Sequence, residues 1–313
     1  MAIILVQCLL SVNKESYIAI NMNIVQIHSG LGNQMFQYAF FLALHKYHPD
    51  TKIDASIYAY RPSHNGYELE RIFGIRPPHA THEERNRLAD VSKDIWSVIR
   101  RKIGLYRHTT GTLYIEPDPA NGWAKEALKQ ENCYMQGYWQ SERYFAEIVQ
   151  DVKQAFTFPA LPKEIEPFAN KILQNPNSVS VHIRRGDYLK ARRVDDYSVC
   201  GTTYYQKALA HIQTQIENPT YYVFSDEPEW GKEQSLFPDN TIYISGHTGK
   251  EAYIDMQLMS LCRHHIIANS SFSWWGAWLG QQNKSITIAP NKWFRYRLRP
   301  DIIPSQWTTI DVE

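Results

Sequence analysis

The sequence has few cysteines, almost no net charge and no long apolar run. Cys8, Cys133, Cys200 and Cys262 are scattered, with no paired spacing. That excludes a zinc-finger spacing and a disulfide framework, and it fits a reducing compartment. The formal net charge is +1, which gives no global pull toward nucleic acid or an anionic membrane; any anion site must be local. Residues 2–10 are mostly apolar but too short to span a bilayer, and no basic residue precedes them as a signal peptide requires. No other segment reads as an integral membrane segment. No internal repeat, heptad run or low-complexity tract is present.

What is there suits a globular chain. Hydrophobic residues make up 43% and charged residues 21% of 313 residues, enough for two ordinary domains with real cores. The 20 Tyr and 9 Trp supply rings with a polar handle, which favour sugar or ring stacking but also fill cores. Residues 1–21 carry no motif and read as a dispensable extension upstream of Met22. A strand is expected at 24–27, then the turn Ser29-Gly30-Leu31-Gly32-Asn33, then an apolar helix over 34–45. This is the opening unit of a Rossmann-like half. Met35 stands where a full dinucleotide fingerprint needs its third glycine, and there is no Walker lysine. Gly30 and Gly32 therefore let the backbone pass close either to a ligand or to a second domain. Residues 60–130 read as short helices and loops. A strand is expected at 133–139 and a helix at 142–154. Pro159, Pro162, Pro167 and Pro176 mark a domain junction. Beyond it, strands at 179–183, 221–225, 241–245, 265–268 and 285–289 alternate with helices, notably 204–215 and 252–262. That alternation predicts a parallel sheet.

The densest signal lies at 178–188, Ser-Val-Ser-Val-His-Ile-Arg-Arg-Gly-Asp-Tyr. A β-branched run with the composition of a buried strand stops at two guanidiniums, Arg184 and Arg185. Ligands of open α/β sheets sit just outside the carboxyl ends of strands, and arginine there can fork onto a diphosphate. The plainer reading is a strand followed by a solvated Arg–Asp pair. Other polar groups follow expected strand ends: Ser225-Asp226-Glu227, and Asn269-Ser270-Ser271 running into Trp274, Trp275 and Trp278. Ser270 and Ser271 either cap a helix or help its N–H groups hold a phosphate. The tryptophans, at helical spacing, read as core. Asp255 sits in an apolar helical pattern and needs a partner; it caps backbone or accepts from the N1–H and amino group of guanine. There is no Asp-x-Asp after a strand to hold magnesium, and His264-His265 are adjacent rather than at a ligand spacing. No metal and no cofactor are expected, so arginine must neutralise a leaving diphosphate.

Three blocks together resemble glycosyltransferase family 11, the bacterial galactoside α-1,2-fucosyltransferases. They are Gly30-Leu31-Gly32-Asn33-Gln34-Met35-Phe36-Gln37-Tyr38-Ala39, His182-Ile183-Arg184-Arg185-Gly186-Asp187-Tyr188, and 269–279. Gly137-Tyr138-Trp139-Gln140-Ser141 and Tyr144-Phe145 also look like the family. One departure is Ser29, where members usually carry glycine. The resemblance implies a GT-B-type α/β fold, two Rossmann-like domains facing each other across a cleft. The expected bounds are 22–160 for an acceptor-side domain and 177–300 for a GDP-fucose-binding domain. It implies inverting, metal-independent transfer of L-fucose from GDP-L-fucose to the 2-hydroxyl of a galactose-terminated oligosaccharide, in the cytoplasm or peripheral to the inner membrane. The implied donor-side residues are Arg184, Arg185, Asp255, Ser270, Ser271, Gly30, Gly32 and Asn33. Those on the acceptor side are His28, Gln34, Tyr138 and Trp139. The implied catalytic residues are Arg184, Asp187 and His182, with Asp187 organising the arginine motif. His182, Asp187 and His28 remain open as general base. The shared arginine motif leaves an α-1,6 linkage as an alternative, which the glycine block disfavours. A glycan-binding protein without activity is a further alternative, disfavoured because it has no use for a diphosphate clamp.

Overall fold

The computed structural model describes residues 22–61, 64–186, 200–297 and 299–312. The extension 1–21 and Asp187 lie outside the described residues. Two parallel sheets organise the chain. In the first, β1 (Ile24–Gln26), β2 (Lys52–Asp54), β3 (Thr112–Ile115) and β4 (Cys133–Gln136) lie in the order β2-β1-β4-β3. The second holds β5 (Ser178–Ile183), β6 (Thr220–Ser225), β7 (Ile242–Ile244), β8 (His264–Ile266), β9 (Thr287–Pro290) and β10 (Thr308–Ile310). Their order is β10-β9-β8-β5-β6-β7. Read from the other edge, this is the doubly wound Rossmann order, with the chain reversing direction across the sheet between β5 and β8. Every residue of β5 is buried, as a central strand covered on both faces must be.

In the first sheet the chain steps from β1 out to β2 at one edge, restarts with β3 at the other and returns to β4, which lies beside β1. Each sheet has a crevice at its carboxyl edge. The turn Ser29-Gly30 leaves one, and Arg184-Arg185 leaves the other. The second sheet reaches past residue 300, because β10 pairs with β9 through Thr308↔Ile288. A three-residue edge strand in an Arg- and Pro-rich tail leaves no periodicity to read. The same brevity hides β2 and β3. The helix expected at 142–154 is two pieces, 3₁₀ turns over Glu142–Ile148 and a helix over Val149–Ala155, broken where Phe145 leaves helical geometry.

One contact joins the halves. Helix α1 (Leu31–Tyr47) is buried on nearly every side along its first three turns, which a surface helix is not. Its outer face packs on a second helix, Ser271–Gly280, here the closing helix. Phe36 lies 4.5 Å from Trp274 and 4.9 Å from Trp275, ring centre to ring centre. Phe145 stacks on Trp275 at 5.7 Å. The Trp275 indole N–H donates to the Gly32 carbonyl at 2.9 Å, and that of Trp278 to Glu142 at 3.1 Å. The three tryptophans are core, and one apolar cluster runs from Val25 through Phe36 and Phe145 to Trp274.

Gly32 is where the backbones meet. A Cβ there would lie 2.6 Å from the Ser271 carbonyl carbon. At Gly30 a Cβ would meet only the His64 ring, at 3.4 Å. Gly32→Ala should therefore force the two helices apart and cost about 1–3 kcal/mol, while Gly30→Ala costs much less. Urea-melting midpoints of the two variants check this; equal midpoints would mean that the helices yield freely.

Candidate active site

The two crevices face each other across a cavity of about 610 Å³. On the second-sheet side, Arg184 is the first residue past β5 and lines the cavity. Its Nη1 lies 3.2 Å from Asp226 Oδ2. Asp226, just past β6, also accepts from the backbone N–H of Arg185 at 3.0 Å and of Gly186 at 3.1 Å. Among the described residues, Asp226 is thus the group that holds the arginine turn. Arg185 departs from the twin-clamp expectation. Its guanidinium lies over the Trp230 ring, 4.1 Å from the ring centre, with Nε 3.5 Å from Glu227, and it does not line the cavity. Successive residues of an extended chain point to opposite sides, so one arginine of the pair faces the cleft and the other the protein.

Opposite Arg184, Ser270 and Ser271 open the closing helix and line the same cavity. Ser270 Oγ accepts from the Phe272 N–H at 3.3 Å, so it is a true N-cap, and the helix end it caps faces the cavity. A helix N-terminus beside a guanidinium is a natural seat for a phosphate. Asp255 lies further along, in the helix Tyr253–Leu261. It also lines the cavity and stands 2.6 Å from His247 Nδ1. Burial pushes its carboxyl above the usual range, against the opposing effect of His247.

His182 lines the cavity but is a poor proton acceptor. Burial, reinforced by the charge of Arg184, pulls its imidazole down to about 3. The ring stays neutral, packed 6.0 Å from Phe272. Lowered basicity weakens His182 as a general base.

On the first-sheet side, the expected residues divide. Tyr138 lines the cavity, edge-to-face with His28 at 4.9 Å. His28 itself lies behind the cavity wall, its Nδ1 2.8 Å from Ser29 Oγ, and burial lowers its pKa despite a backbone bond to Gly137. Trp139 is not at the cavity. Its ring is fully buried, stacked on Phe40 at 4.0 Å. Gln34 is also buried. It donates to the carbonyls of Ser29 and Gly66 and accepts from the Glu68 N–H, so it ties loops together rather than touching a ligand. Asn33 lines the cavity and accepts from Gln140 at 2.7 Å. Gly32 lines it too, but its lack of a side chain serves the helix contact. Ser29, the departure from glycine, sits at φ +69°, a left-handed conformation that disfavours a side chain. Its carbonyl is held by Tyr58 and Gln34 and its hydroxyl by His28.

Sequence reasoning missed three groups. Asp226 was noticed only as a polar strand end. His247 follows β7, so the same strand-end rule would have found it. Glu68 carries no motif. It is the carboxylate that the first-sheet half contributes to the cavity wall, and burial raises its pKa against the opposing pull of Arg71. Arg71 at 2.6 Å and Asn65 at 3.3 Å both bond its Oε1.

Two Rossmann-like halves with facing crevices, one carrying an arginine and a capped helix end, are the framework of a GT-B glycosyltransferase. Residues 125–311 match Glycosyl transferase family 11. The chain is 32% identical over 300 residues to an alpha-1,2-colitosyltransferase of Escherichia coli, covering 92% of this chain and 98% of that one. The chain belongs to glycosyltransferase family 11. It is also similar to galactoside 2-alpha-L-fucosyltransferase SEC1 of Bos taurus, 28% identical over 170 residues, 51% of this chain and 46% of that protein. Among solved structures it resembles POFUT1 in complex with GDP-fucose, with a TM-score of 0.49, 12% identity, and coverage of 87% of this chain and 99% of that one.

The raised pKa of Asp255 has a sign that can be tested. The folded state holds this proton more tightly than the unfolded chain. Stability is therefore lost as pH rises from the ordinary aspartate range through the raised value. Asp255→Asn removes that loss. The unliganded variant should melt at a temperature less dependent on pH across this window, and above wild type at neutral pH. Parallel melting curves against pH would show that Asp255 has no desolvation cost.

Proposed function

We propose that the chain transfers L-fucose from GDP-L-fucose, with inversion at C1, to the 2-hydroxyl of a terminal galactose. The observation that carries this is the convergence of Arg184, the capped helix end at Ser270 and Ser271, and Asp255 on one cavity. In this reading the diphosphate lies between Arg184 and the helix end, and the Asp255 carboxylate accepts from the paired donors of guanine. The acceptor enters from the Tyr138 side. Its hydroxyl oxygen attacks C1, the C1–O bond to GDP breaks, and Glu68 takes the hydroxyl proton. Arg184 bears the charge that builds on GDP, without a metal.

The similarity to an alpha-1,2-colitosyltransferase over 92% of the chain favours a second reading, a colitosyl donor. Colitose is fucose without its 3-hydroxyl. Incubating the enzyme in excess EDTA with GDP-L-fucose or GDP-colitose and a panel of galactosides separates the readings, with product linkage read by NMR. The proposal expects fucosyl-α-1,2-galactose from the first donor. Transfer from GDP-colitose alone, or another linkage, would overturn it, and dependence on added magnesium would overturn the arginine's role.

Two substitutions test the assignments. Arg184→Lys keeps the charge but loses the planar fork, and kcat should fall by about 10²–10³. Arg185→Lys should leave turnover near wild type and lower the melting point instead, because it loses the stack on Trp230. Equal losses of turnover would mean that both arginines grip the donor. A buried base with a raised pKa makes the rate climb with pH through that value. Glu68→Gln should lower kcat by about 10²–10⁴ and erase the acidic limb of the pH–rate profile. A retained limb would move the base elsewhere.

A further inference from the structure

The helix Ile95–Lys102 is built inside out. A surface helix ordinarily turns its apolar stripe to the core and its charges to water. Here Ile95, Trp96 and Ile99, with Ile103 at the helix end, fall on one arc of about 100° at helical spacing. That arc faces solvent: Ile95 is 69% exposed, Trp96 77% and Ile103 67%. Ser97 is the buried residue of the helix. The inner side is fixed by charge. Arg100 Nη1 lies 2.8 Å from Asp90 Oδ2 and Arg101 Nη1 3.1 Å from Asp90 Oδ1. Arg100 first of all holds the Asp90 carboxyl down at about 2. Asp94 caps the helix by accepting from the Ser97 N–H. The orientation is therefore specified by ion pairs and a cap. Leu105 and Tyr106, 59% and 72% exposed, extend the apolar surface beyond the helix.

The exposed charges beside this surface are basic. Arg100 and Arg101 are paired with Asp90 and Asp94 caps the helix, which leaves Lys93, Lys102 and Arg107 facing water, in a chain whose net charge is only +1. Lys93, Lys102, Arg107 and His108 are exposed beside the apolar residues. Exposed Trp, Tyr and branched aliphatics rimmed by Lys and Arg suit the interface of an anionic bilayer. A second copy of the chain suits it less. A two-fold contact sets the same patch against itself and would bring like charges together.

We propose that the face formed by Ile95, Trp96, Ile99, Ile103 and Tyr106, rimmed by Lys102 and Arg107, seats the protein on an anionic lipid surface. No described helix is long and apolar enough to cross a membrane, so the contact is peripheral. It is independent of the sugar transferred, and its test needs no transferase activity.

Flotation with lipid vesicles decides it. The full chain should float with mixed phosphatidylcholine–phosphatidylglycerol vesicles and not with pure phosphatidylcholine, and high salt should release it. Trp96→Glu should abolish flotation. The pair Lys102→Glu and Arg107→Glu should lower the partition coefficient at least about tenfold. Melting points should match wild type, since these side chains face solvent. No flotation with the mixed vesicles, or flotation indifferent to both variants, would overturn the proposal. So would a concentration-dependent dimer that Trp96→Glu dissolves without any vesicle binding, which would assign the face to a second copy.

Discussion

The close approach of Gly32 to the backbone at Ser271 is the constraint on which the rest of the molecule depends. A Rossmann-like half needs only its own sheet and helices, and two such halves on one chain would ordinarily meet through a modest, polar interface. Here the first helix of one half and the last long helix of the other share a single aromatic core, from Phe36 to Trp275. That contact aims both carboxyl edges at the same cavity. It also explains a puzzle of composition. The helix Ser271–Gly280 is almost wholly apolar because both of its sides are covered, one by the helix Tyr253–Leu261 of its own half and one by the other half.

The chemistry of the second crevice follows from strand geometry. Arg184 and Arg185 are neighbours in sequence and opposites in space. Asp226 spans both roles, taking the Arg184 guanidinium with one oxygen and the turn's N–H groups with both. A carboxylate already satisfied in this way orients the arginine without needing to bind anything itself. Asp255 and Glu68 are held differently. Burial works against their charge, and a cationic or polar neighbour only partly restores it. Such groups spend stability in the empty protein and recover it when a donor of hydrogen bonds, or of a proton, arrives.

The sequence carried the second half well and the first half poorly. Long β-branched strands such as β5 and the helices between them announce themselves by period and by the polar residues at their ends. Strand-end chemistry is local, so Arg184 and Ser270 are legible as cavity residues from the sequence, and Asp255 stands out as a carboxylate in an otherwise apolar helical pattern. The side of the chain a residue faces is not local. Arg185, Gln34 and Trp139 sit inside recognisable motifs yet serve packing and loop anchoring, because neighbours far away in sequence decide where they point. Glu68 lies among short helices with no periodicity, and only the fold brings it to the cavity. The two readings left open for Gly32, ligand or second domain, could be decided only by the helix that reaches it from residue 271.

That distance along the chain has a consequence for synthesis. Helix Leu31–Tyr47 is made early, but the helix that covers its outer face emerges some 240 residues later. Until then Phe36 and its apolar neighbours stand uncovered on the nascent chain, where such surfaces invite aggregation. The first half of the molecule therefore cannot complete its core while still being translated. It must wait, shielded by a chaperone or by its own transient packing, for the helix Ser271–Gly280 to leave the ribosome.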